Sequence, residues 1–265
     1  MKTSTKTPMK APMKTKQRMT WILAAVMAIR IGVLVPNAAT QAAQAAQSDP
    51  YPKMAPVEQY LMERNAEIQL ARTAASDSIS RDATILVLGR QGFETAVEGK
   101  NGFTCIVERG WTAAFDWPEF WNPKVRAAAC LNAQAARFIL PIDFLRTKMV
   151  LAGRSKAEML SAVKAAYEKK QLPDLESGGM CYMMSKPAYL TDQDGHTVPH
   201  VMFYSVGIDP KDWGSGAAGS PVVSAPYWFF LSHDPTQMKG LPPILVFLVM
   251  APTWSDGTPA AQHQE

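Results

Sequence analysis

Of the 265 residues, 47% are hydrophobic and 19% charged, which suits a globular chain and excludes collagen-like, low-complexity and disulfide-dense scaffolds. The net charge of +4 is unevenly placed: seven of the 27 Lys and Arg residues, but none of the 23 Asp and Glu residues, lie in residues 1–45. The remainder carries 20 bases against 23 acids, a net −3, so it lacks the basic stripe of a nucleic-acid-binding protein.

Residues 1–45 follow the secretory plan of a basic segment, an apolar segment and a small-residue cleavage site. Lys2, Lys6, Lys10, Lys14, Lys16 and Arg18 come first. Trp21–Ile29 and Ile31–Val35 form the apolar part around Arg30, and Ala43-Gln44-Ala45 offers small residues to a signal peptidase. The competing reading, an uncleaved anchor, needs about 20 apolar residues, and Arg30 interrupts this segment. With no twin-arginine pair, the general secretory route and cleavage after Ala45 are expected. That predicts an exported, periplasmic or extracellular protein, with no membrane span once the signal peptide is gone. Residues 46–54 read as a linker, 55–255 as one domain and 256–265 as a disordered tail.

Pro56 to about Ser78 reads as a helix, with Val57, Leu61, Ile68 and Ala71 near helical spacing. Strands are expected at Ala83–Leu88, Phe93–Glu98 and Phe103–Glu108, the last two joined in a hairpin at Asn101-Gly102. Trp111–Asn122, aromatic and broken by Pro118, reads as a loop or short helix covering one end of the sheet. Helices are expected over Pro123–Phe138 and Ile142–Leu151. A third runs from the Ser155–Glu158 capping box to about Lys170, with Met159, Leu160, Val163 and Tyr167 inward.

Gly178–Val206 is the most informative stretch. Both faces of Met180–Met184 and of His200–Val206 are mostly apolar, the pattern of interior strands. Thr191–Gly195 between them is turn chemistry. Gly207–Pro226 reads as a Gly/Ser/Pro loop, Tyr227–Leu231 as a short strand and Ile244–Met250 as a buried strand, with a frayed tail beyond Pro252. The predicted class is α+β, a mainly antiparallel sheet with helices packed on one side.

His196 and His200, four apart across Pro199, share parity on an extended segment and present two imidazoles. They would serve as ligands to Zn²⁺ or another borderline metal, with His233 or Asp194 completing the set, or one would act as a general base. The plain alternative is that one caps the turn and the other bonds a backbone carbonyl. Nucleophiles for such a base are Ser185, Ser205, Ser220 and Cys181, none in a Gly-x-Ser-x-Gly elbow. Ser161 and Lys164 match Ser-x-x-Lys but sit inside a helix. Gly214–Gly219 matches Gly-x-Gly-x-x-Gly without the flanking strand and helix that motif needs. Asp192-x-Asp194-Gly195 is a turn, since Phe203 stands where a calcium loop needs Glu. Glu94, Glu98 and Glu108 on the early strands read as a solvated charge ladder or a carboxylate pair. Cys105, Cys130 and Cys181 permit a Cys105–Cys181 disulfide or three free thiols.

Met184–Pro187, Asp194-Gly-His196, Pro199-His200-x-Met202-Phe203, Trp213-Gly214 and Gly219-Ser-Pro221, behind a signal peptide, resemble a family of exported bacterial proteins with no assigned activity. That resemblance covers roughly residues 80–255 and implies export and a single domain. The order of a long helix, a hairpin, helices and Tyr189–Gly195 before a strand is similar to PAS/Cache-like extracytoplasmic sensor domains. This similarity implies a small ligand held against one sheet face.

Three functions follow. The first is a small-ligand pocket at the sheet end, formed by His196, His200, Tyr204, Trp213 and the 207–226 loop. The second is a metal- or His-dependent hydrolase using His196 and His200. The third is an envelope-associated structural or interaction protein, with Trp111, Phe115, Trp117, Phe120 and Trp121 as its interface.

Overall fold

The computed structural model describes residues 49–193 and 198–260. Its strands are β1 (Thr84–Gly89), β2 (Gly92–Val97), β3 (Thr104–Glu108), β4 (Ala127–Leu131), β5 (Met180–Met183), β6 (His200–Val206), β7 (Val222–Pro226) and β8 (Ile244–Met250). The helices are α1 (Arg64–Arg72), α2 (Asp77–Ser80), α3 (Ala133–Leu151) and α4 (Lys156–Glu168). All eight strands form one sheet, ordered β2-β1-β3-β4-β5-β6-β8-β7, antiparallel except where β1 meets β3. This is the expected α+β class. No helix among the described residues is long and apolar enough to cross a membrane.

Side-chain alternation divides the core in two. Leu86, Leu88, Ile106, Ala129 and Leu131 pack with the long helices α3 and α4 on one face. Ile85, Cys105, Val107, Ala128 and Cys130 pack with Ala71 of α1 on the other, so helical cover reaches both faces at this end of the sheet. The Met180–Met183 and His200–Val206 ribbon is interior, as expected, with Met183 opposite His200 and Cys181 opposite Met202.

The first hairpin is not at Asn101-Gly102. It closes at Arg90-Gln91 and joins β1 to β2, with Gly89 opposite Gly92. Asn101 instead redirects the chain: its Nδ2 donates to the Ile79 carbonyl and its Oδ1 accepts from the Phe103 amide. That brings β3 back beside the start of β1, where the Thr84 amide donates to the Phe103 carbonyl at 2.9 Å. A Cβ at Gly99 would lie 2.1 Å from the Thr84 nitrogen, so this crossing needs glycine.

The helix expected over Pro123–Phe138 is a strand for half its length. Ala127–Leu131 is buried at every position between β3 and β5, and only after Asn132 does α3 begin. A fully apolar run carries no period to separate strand from helix. Asn132 makes the change of direction: its Oδ1 accepts from Ala135 N and Met180 N, both at 3.0 Å, and its Nδ2 donates to the Gly178 carbonyl. One side chain thus caps α3 and fixes the start of β5 against it. Helix α3 continues through Pro141, merging the two helices expected there.

Pro56–Ser78 resolves into a 3₁₀ turn at Val57–Gln59, α1 and the start of α2. The Ser155 capping box starts α4 as expected. Tyr227–Phe230 is a 3₁₀ turn rather than a strand, while the end of the Gly/Ser/Pro loop forms edge strand β7. Residues 253–260 are not frayed: Trp254 is buried, Ser255 N donates to Met184 O, and Ala260 N donates to Pro252 O, while 261–265 lie outside the described residues.

Cys105 and Cys130 are direct cross-strand partners and form the disulfide. The Cys105–Cys181 pairing fails on parity. Cys181 stands opposite Leu131 and points to the other face, where it is a buried free thiol.

Candidate functional site

Ile139, Ile142, Asp143 and Arg146 recur at helical spacing and form one stripe of α3. Opposite them, Glu108, Ala127, Leu131, Cys181, Met183, Met202 and Tyr204 project from the same face of β3 to β6. Between them lies a cavity of about 130 Å³, closed at one side by Trp117 and by Tyr227–Leu231. Its walls are mostly apolar, yet two carboxyls and a guanidinium enter it.

Arg146 is held firmly. Its Nη1 donates to the Thr112 carbonyl at 2.9 Å and the Phe230 carbonyl at 3.1 Å, its Nη2 donates to the Ala113 carbonyl, and its Cζ lies 4.5 Å from the Phe115 ring centre. Its Nε is enclosed without a partner. Burial lowers its pKa to about 10, which leaves it charged at physiological pH.

Asp143 is 5% exposed, and among the described residues its side chain has no hydrogen-bond partner, with Oδ2 fully enclosed. Burial pushes its carboxyl well above the usual range, and the nearby Glu108 carboxylate adds to this. Glu108 has a single long contact, 3.4 Å from the Thr112 hydroxyl. It keeps some accessible surface, but that surface is cavity wall, and burial raises its pKa from 4.5 to about 7. Neither carboxyl forms an ion pair with Arg146, so one positive charge faces two acids at a distance. The adjacent Arg109 does not alter this balance, because its Nη2 bonds Glu67 Oε1 at 2.8 Å in a separate buried pair.

No comparison with family models, curated proteins or solved structures gives a match. The chemistry of the site therefore rests on its own geometry.

Of the residues singled out from sequence, Tyr204 lines the cavity, its hydroxyl 3.7 Å from Met202 Sδ. His200 shares a face with Met202 and Tyr204 but stands outside the lining. It is 6% exposed, with Nδ1 2.9 Å from the Val198 carbonyl, and burial lowers its pKa. His196 lies outside the described residues, as does Asp194. Trp213 stacks on Phe247 at 4.4 Å and meets Phe203 edge-on, both on the opposite sheet face, so it anchors its loop there and does not reach the cavity. His233 is paired with Asp116, Nδ1 to Oδ1 at 2.8 Å, on an exposed loop. Among the described residues, no three His, Cys, Asp or Glu side chains come together as a metal site.

Glu94 pairs with Arg64 at 2.5 Å on the surface, and Glu98 is exposed, so of the three early glutamates only Glu108 enters a site. Trp111, Phe115, Phe120 and Trp121 are buried rather than displayed, and Trp117 helps to close the cavity. Sequence reasoning missed Asp143 and Arg146. The signal was present: two charges on the apolar side of Phe138–Leu151, in phase with Ile139 and Ile142.

Proposed function

We propose that this is an exported small-ligand-binding protein whose ligand occupies the cavity between α3 and the sheet. The observation that carries the reading is the conjunction of an open volume of about 130 Å³ with a carboxyl 5% exposed and without a hydrogen-bond partner. Protein interiors are close-packed and pair their buried polar groups, so a void lined by unpaired ones is the form of a site that something fills. An engineered apolar cavity of about 150 Å³ admits benzene, so the ligand or recognised fragment has roughly five to eight non-hydrogen atoms. The leader in residues 1–45 supports export.

A hydrolase centred on the histidines has less support, since the His200 ring is enclosed against the Val198 carbonyl. The packing of Trp111, Phe115, Phe120 and Trp121 likewise removes support for an aromatic docking face.

The test is a fragment screen by thermal shift on the wild type and on Ala127→Leu, whose larger side chain would occupy the cavity. A fragment at 100 times its Kd stabilises by about 2.7 kcal/mol, which is about 5–10 °C for a domain of this size. Shifts in the wild type that vanish in Ala127→Leu are expected. Equal shifts in both proteins refute the cavity as the site.

A further inference from the structure

We propose that the cavity selects a small organic cation, an alkylammonium with an apolar body, and that binding displaces a carboxyl proton carried by Glu108 or Asp143. The inference rests on the ligand-cavity reading and adds its chemical class.

The first ground is the hydrogen-bond inventory. The two carboxyls present four oxygens, of which one receives a single contact, the 3.4 Å bond from Thr112. Arg146 commits three of its four terminal N–H bonds to backbone carbonyls, and its Nε, like Asp143 Oδ2, is enclosed without a partner. Acceptors therefore exceed donors, and the group that would satisfy them is a donor with several N–H bonds. The second ground is charge. Arg146 stays protonated and is balanced by one ionised carboxyl, so a second ionised carboxyl needs a counter-cation. The third is the wall: Trp117, Tyr227, Trp228 and Phe230 line the space, and an aromatic lining suits a cation.

The remaining titratable groups at the cavity leave this balance standing. From β3, Arg109 is paired with Glu67 of α1. Cys181 of β5, Tyr204 of β6 and Tyr227 are all pushed above their ordinary values by burial and stay neutral. The exchange conserves charge: the ammonium enters, a carboxyl proton leaves to solvent, and two carboxylates then face Arg146 and the ligand. Affinity consequently rises with pH, at up to tenfold per unit below the pKa of the displaced acid.

Three probes of nearly equal size separate the possibilities: n-butylammonium, 1-butanol and butanoate, titrated calorimetrically into the mature protein at pH 6 and pH 8. Binding of n-butylammonium should strengthen at least about tenfold between these values, with net proton release, larger at pH 6 than at pH 8, in buffers of differing ionisation heat. The 1-butanol affinity should stay level, and Glu108→Gln and Asp143→Asn should each reduce the pH slope for the amine. Preference for butanoate, or equal binding of amine and alcohol at pH 8, overturns the cation assignment while leaving the cavity as a ligand site. No binding by any of the three, with no fragment acting in the thermal screen, overturns both.

Discussion

Glu108→Gln isolates the electrostatic claim on which the site depends. The amide keeps the shape and removes the ionisation. Burial lifts the Glu108 pKa from 4.5 to about 7. At about 1.4 kcal/mol per pH unit, that difference amounts to about 3 kcal/mol between the two protonation states. The folded protein retains the proton that the unfolded chain has released, so this contribution is present below pH 4.5 and is lost as pH rises toward 7. Urea unfolding from pH 4 to 8 should therefore show the wild type losing up to about 3 kcal/mol relative to Glu108→Gln across that window. Asp143→Asn, measured alongside, should likewise lose less stability than the wild type as pH rises, because burial raises that carboxyl too. Parallel stability curves for wild type and Glu108→Gln would refute the reasoning, since they would mean the carboxyl meets ordinary water.

The Glu67–Arg109 pair is buried on both sides, and Glu67 Oε1 also accepts from Leu88 N at 3.1 Å. Arg109→Met alone should cost roughly 3–5 kcal/mol in urea unfolding, whereas adding Glu67→Leu should recover most of it. The Cys105–Cys130 bridge closes a separation of 25 residues, so replacing both with Ala should cost about 3.5 kcal/mol on chain-entropy grounds. Non-reducing peptide mapping should link these two cysteines, and Cys181 should resist thiol reagents until the protein unfolds. His200 is buried with its pKa lowered below 6.5, so the folded state resists its protonation and stability falls as pH drops below that value. His200→Leu should flatten that part of the acid limb.

Much of the fold was legible where the sequence has a period. The alternation of Met180–Met184 and His200–Val206 marked two interior strands, and Ser155 with Glu158 marked a helix start. Where period fails, so does the reading. Ala127–Leu131 is small and apolar throughout, and its strand character comes from neighbours on both sides. Asn101-Gly102 carries the local chemistry of a hairpin, yet Asn101 spends its side chain on Ile79 and Phe103 to make a crossover. The site was legible in pieces only. Tyr204 and Glu108 were named, but the cavity exists because Asn132 aligns α3 with β5, bringing Asp143 and Arg146 over a strand face distant in sequence. Histidine drew attention as a chemically versatile residue, whereas here the unpaired groups are carboxyls.

Met183 and Met202 line the cavity and place two methyl reporters in its wall. With methyl-labelled methionine, titration by a fragment that raises the melting temperature should move these two resonances saturably. Those of Met62 and Met159, packed elsewhere in the core, should stay still. Saturable shifts confined to Met183 and Met202 are the predicted result. Stabilisation by a fragment without any movement of those two methyl signals would contradict the account.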